Sequence, residues 1–77
     1  MKIKVIVTLK KGVLDPQGKA IQQTLNGMGF SEVNEVRQGK YFDIEVSETD
    51  ENKAKSKVDE MCKKLLTNLV IEDYKLL

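Results

Sequence analysis

The apolar residues of this 77-residue chain change their period several times, and each change restricts what the segment can become. Residues 2 to 9, KIKVIVTL, set Ile3, Val5, Val7 and Leu9 on one face and Lys2, Lys4, Ile6 and Thr8 on the other. Period two with β-branched side chains predicts a strand with one buried face. Ile6, on the otherwise polar side, predicts some cover there too. Around residue 14 the spacing turns helical, with Leu14, Ile21, Leu25 and Met28 recurring near one stripe. Asp15 can accept from a free N–H of the first turn, and its charge suits the positive end of the helix dipole. Pro16 at the first helical position loses a donor that would have been unpaired anyway. Gly27 and Gly29 supply the stop. Gly18 is out of place, because glycine in a first turn costs up to about 1 kcal/mol relative to alanine. Either a neighbour lies close over that turn, or the position is a tolerated imperfection.

The middle of the chain returns to period two. Phe42, Ile44 and Val46 alternate with Tyr41, Asp43 and Glu45, which predicts a strand, with a turn or kink near Gln38-Gly39-Lys40 before it. A preceding strand over about Glu32 to Gln38 has only Val33 and Val36, which do not alternate; a bulge or an edge position fits that pattern. From Thr49 the helical period resumes. Ala54, Val58, Met61, Cys62, Leu65 and Leu66 form one stripe, capped by Thr49 or Asp50. Glu51–Lys55, Asp59–Lys63 and Glu60–Lys64 are i,i+4 pairs with the acid leading. After Asn68, LVIEDYKLL reads as a last strand of mixed pattern. The order is β-α-β-β-α-β in one unit spanning 1–77. It predicts an α+β, ferredoxin-like antiparallel sheet with two helices on one face. A domain this small buries about 60% of its unfolded surface, so a homo-oligomer is expected.

Composition removes most chemistry. The chain has no histidine and one cysteine, which excludes a Ser-His-Asp or Cys-His arrangement and a tetrahedral zinc site. Cys62 lies on the apolar stripe and reads as a buried structural thiol. GMG at 27 to 29 follows a helix rather than a strand, so it is not a dinucleotide fingerprint, and no P-loop is present. Glu72 and Asp73 point to opposite faces of a strand and read as solvated carboxylates. No catalytic set, metal site or cofactor site is expected on this chain. Thirteen basic against twelve acidic residues argue against nucleic-acid and membrane-surface binding. The N-terminus has no unbroken apolar core of a signal peptide, and a cytoplasmic location is expected. In RQGKY, residues 37 to 41, Arg37 and Lys40 flank a glycine. Such a pair can meet a phosphate or a carboxylate-rich partner, or simply cap a solvated hairpin.

The stretch VTLKKGVLDPQGKAIQQTLNGMGFSEVNEVRQGKYFDIEV, followed by MCKKLLTNLVIEDYKL, resembles the PurS family, the small subunit of phosphoribosylformylglycinamidine (FGAM) synthase in purine biosynthesis. Three motifs carry the resemblance: VLDPQG at 13 to 18, VRxGK at 36 to 40 and MCxKLLxNxVIEDY at 61 to 74. The resemblance implies an accessory subunit of an ATP-dependent, glutamine-hydrolysing ligase, without catalytic residues of its own. Its partners would be itself, as dimer or tetramer, a large synthetase subunit of the PurL type carrying ATP and Mg, and a glutaminase subunit of the PurQ type. It would bridge the last two and help ammonia pass between them. Carried onto this chain, Asp15, Pro16, Gln17 and Gly18 are expected to shape a turn at a subunit contact. Arg37, Gly39 and Lys40 are expected to face acidic groups of a partner. Asn68, Glu72, Asp73 and Tyr74 are expected at a self-association edge. The rival reading is a dimeric ferredoxin-like regulatory module sensing a small amino acid or nucleotide.

Overall fold

The computed structural model describes residues 1–77. Strand β1 (Lys2–Leu9) is central in a three-stranded antiparallel sheet of order β2-β1-β3, flanked by β2 (Gly39–Glu45) and β3 (Glu72–Leu76). Helix α1 (Pro16–Gly27) connects β1 to β2, and α2 (Glu51–Met61) leads to β3 through a π-helical turn, Cys62–Leu66. No helix is long and apolar enough to cross a membrane.

The alternation of β1 decides the layers. Ile3 lies opposite Ile44, Val5 opposite Phe42 and Leu76, and Val7 opposite Tyr74, so apolar residues of all three strands share a face. Ala54, Val58 and Cys62 of the second helix pack onto it, completing a core with Ile3, Val5 and Val7. The opposite face pairs Lys2 with Glu45 and Lys4 with Asp43, matched charges that suit water on that side. Ile6 is half-buried there, beside Tyr41 and Lys75.

The helix signals work as read. Asp15 caps α1, with its side chain accepting from Gly18 N and Pro16 in the first turn, and Gly29 takes φ 100° just past the end. Asp50 rather than Thr49 caps α2, accepting from Asn52 N at 2.9 Å and Lys53 N at 3.2 Å. The three i,i+4 pairs close at 3.1, 3.2 and 2.7 Å. The stripe of α2 ends in wider winding, where Thr67 N donates to Cys62 O, and Asn68 then turns the chain.

The α+β class, the antiparallel sheet and the two helices are those of the sequence reading, with three of its four strands in the ladder. Glu32–Gln38 pairs with no strand; its polar groups go instead to the end of α1, where Asn26 donates to Val33 O, to the loop after β1, where Arg37 donates to Lys10 O, and to Asp15, which accepts from Gln38 N. Gly39 and Lys40 are not a turn but the first residues of β2, hydrogen-bonded beside Thr8 and Val7. The last strand begins only at Glu72, since residues 69–71 complete the turn set by Asn68. Finally, α2 alone covers the sheet within one chain. The core contains no residue of α1.

Candidate functional site

The cap of α1 is the starting point. Asp15 is buried, and its two carboxylate oxygens accept different backbone donors: Gly18 N at 2.9 Å on one, Gln38 N at 2.6 Å on the other. One side chain thus fastens the start of α1 to the residue just before β2. The Gln38 and Gly18 amides, with help from Arg37, hold its carboxyl below the ordinary value, outweighing the cost of burial. Gln38 adds a side-chain hydrogen bond to Gln17 at 2.8 Å. Gly18 is required by the same closure, because a Cβ there would fall on the Val36 carbonyl oxygen. Of the two readings of Gly18, the close neighbour is the one observed. Gly39 answers a second approach: its Cβ would lie 2.6 Å from Val7 O.

Lys40 extends from β2 across β1 to Glu72 on β3, with Nζ 3.5 Å from Oε2. Glu72 is buried rather than solvated as the sequence reading had it. Its other oxygen accepts from Asn68 N at 2.8 Å, closing the turn that starts β3. Arg37 donates to Lys10 O at 3.0 Å, fixing the loop after β1. A shallow cavity of about 160 Å³ lies among Asp15, Gln17, Gln38, Gly39, Lys40 and Glu72. The residues picked out at 15–18, 37–40 and 72, distant in sequence, therefore meet at one end of the sheet.

The remaining candidates lie elsewhere. Asn68 is exposed and makes the turn, while Asp73 pairs with Lys10 at 2.9 Å on the outer side. Tyr74 is on the core face, donating to Asp59 Oδ1 at 2.5 Å; Lys63 meets the other Asp59 oxygen at 3.2 Å. That hydrogen bond pushes the Tyr74 hydroxyl up to about 12 and, with Lys63, holds Asp59 low. The Cys62 thiol is fully buried and pushed up by desolvation, conditions that suppress thiolate chemistry. No group of three or more His, Cys, Asp or Glu is placed to hold a metal ion. Gln38 was missed by the sequence reading. Its role rests on a backbone N–H, which residue type does not advertise.

The junction presents exposed cations and amides on a buried carboxylate frame, at one end of the sheet of a small α+β chain. The family model described as "PurS: Phosphoribosylformylglycinamidine (FGAM) synthase" matches residues 2–77, and the chain belongs to that family. The PurS subunit of phosphoribosylformylglycinamidine synthase from Methanocaldococcus jannaschii is 52% identical over 75 residues, 97% of this chain and 90% of that protein. The Bacillus subtilis subunit is 50% identical over 96% of this chain and 87% of its own length. Among solved structures, the M. jannaschii PurS crystal structure superposes with a TM-score of 0.88 at 53% identity, covering 99% of this chain and 92% of that one. A chain in the structure of PurLQS from Thermotoga maritima gives 0.91 at 32% identity, covering 99% and 93%.

Proposed function

We propose that this PurS chain acts as the non-catalytic assembly subunit of FGAM synthase, bridging the glutaminase and synthetase subunits. The overall reaction converts formylglycinamide ribonucleotide, ATP and glutamine to FGAM, ADP, phosphate and glutamate. ATP, Mg and both chemical steps belong to the larger partners in this reading. The observation that carries it is the junction at one end of the sheet. Residues from three separated motifs are used there to fasten a helix start, a strand start and a turn, leaving Pro16, Gln17, Arg37 and Lys40 exposed. A rigid basic corner of this kind is suited to an acidic partner surface, with Asp15, Gly18 and Gly39 shaping it from beneath. The outer edge of β3, near exposed Asn68 and Asp73, offers backbone groups for self-association, with Glu72 and Tyr74 holding the strand from the core side. The T. maritima PurLQS assembly supports the bridge, since the matching chain there has the same fold. Ammonia is lost readily to water, so a chain that closes the path between two active sites raises transfer without touching a reacting atom.

The test is reconstitution with matching large and glutaminase subunits. Glutamine-driven product formation should require this chain, whereas ammonium-driven formation should not. Product formation that is indifferent to the chain with either nitrogen source would remove the bridge. Arg37→Glu should weaken complex formation and glutamine-driven activity together; it separates better than Lys40→Glu, which also breaks the pair with Glu72. An intact complex and full activity in Arg37→Glu would remove that residue from the contact.

A further inference from the structure

The cavity at the junction holds charges of both signs. Its volume is about 160 Å³, below the roughly 300–1,000 Å³ of pockets that take drug-sized ligands, so only a small molecule fits. Val7 and Leu9 of β1 give it an apolar side. Two of the residues in its wall carry carboxylates and are almost wholly buried, Asp15 at 6% exposure and Glu72 at 9%. Asp15 is served by two backbone amides, one on each oxygen. Glu72 is served less well. One of its oxygens accepts from Asn68 N, but the other has only Lys40 Nζ at 3.5 Å. The pairs made by Lys10, Lys55, Lys63 and Lys64, on more exposed acids, close at 2.9, 3.1, 3.2 and 2.7 Å. A buried carboxylate is where a close cation matters most, and this oxygen has room for a better one. The Lys40 side chain is 60% exposed and has donors to spare. Gln38 Nε2 donates to Gln17 Oε1, which leaves Gln17 Nε2 free to donate and Gln38 Oε1 free to accept.

We propose that this cavity binds a small α-amino acid as its zwitterion, with the ammonium on the Glu72 oxygen, the carboxylate on Lys40 and a short side chain beside Val7 and Leu9. The ligand parts the loose Lys40–Glu72 pair and gives each member a closer partner. A plain anion meets repulsion from Asp15 and Glu72, and a plain cation meets it from Lys40. A molecule with both charges a few bonds apart satisfies the two sides of the wall together. A nucleotide is excluded by the volume as well as by the carboxylates. A hydroxyl on the ligand side chain can use both the free donor of Gln17 and the free acceptor of Gln38, which makes serine the natural probe. The site goes beyond the assembly reading and does not depend on it.

The test is a titration of the full, isotopically labelled chain with L-serine, followed through the NMR shifts of its backbone amides. Saturable shifts are expected at Gly18, Gln38, Gly39, Lys40 and Glu72. Ethanolamine is serine without its carboxylate, and β-hydroxypropionate is serine without its amine. Each should bind at least about tenfold more weakly than serine, because each loses one charge-assisted contact. In the unaltered chain, nuclear Overhauser contacts should run from the serine α and β protons to the methyl groups of Val7 and Leu9. Lys40→Met keeps the stem and removes the ammonium; it should weaken serine binding by at least about tenfold while the remaining amide spectrum is retained. Shifts that do not saturate, Overhauser contacts absent from Val7 and Leu9, or equal binding of either half-molecule would overturn the site. So would undiminished serine binding in a folded Lys40→Met chain. The bridge is read from reconstitution and this site from the chain alone, so either can fail without the other.

Discussion

Single residues in this chain do work that their type does not announce. Gly18 lies in a helix, where alanine ordinarily gains up to about 1 kcal/mol over glycine. Because a Cβ there meets the Val36 carbonyl, Gly18→Ala is expected to destabilise instead, by about 1–3 kcal/mol. A thermal melt reads this directly, and a raised Tm would refute the close-approach account. Tyr74 supplies a second prediction. In a Tyr41→Phe background its phenolate absorbance should develop with a midpoint of about 12. Its folded value exceeds the ordinary 10.0, so its contribution to stability is complete below pH 10.0 and lost as pH rises through about 12. An ordinary midpoint would mean that the hydroxyl does not rest on Asp59.

At the scale of elements, Asp15 is the link between α1 and β2, and acid should loosen it. Its folded value is lowered from 3.8, so the stabilisation is present above that pH and is lost as pH falls through the lower folded value. Asp15→Asn keeps an acceptor for Gly18 N or for Gln38 N, but not two charged ones. The variant should melt several degrees lower at neutral pH, and the gap to the parent should narrow on titration below pH 3.8. A constant gap would show that the charge is not what holds the junction. The same element shows what the sequence could tell. Asp15 and Pro16 marked the helix start, and the alternation of β1 marked the buried face, because both signals are local. Gly39 looked like turn punctuation because its reason lies across the ladder at Val7. Glu72 looked solvated because Lys40 and Asn68 are brought to it only by the finished sheet. Glu32–Gln38 had β-type residues, but its polar groups go to Asn26 and Asp15 rather than to a sheet edge, partners that only the finished fold brings near.

The whole molecule has a six-residue core for 77 residues, small for a chain that stands alone. Association should therefore appear as stability. A tenfold increase in chain concentration is expected to raise Tm by about 3–5 °C, and a melt independent of concentration would count against a folded state coupled to assembly.

Both outer strands of the sheet pair only with β1, and Val5 must find Leu76 across nearly the whole chain. During synthesis, then, the β1–β2 pair and both helices emerge before the third strand exists. One flank of β1 remains without its ladder until Glu72–Leu76 leaves the ribosome. Distant pairings of this kind slow folding and leave an unpaired strand edge in the nascent chain. The period between the emergence of Glu45 and that of Glu72 is the interval in which this chain most needs protection from other nascent strands.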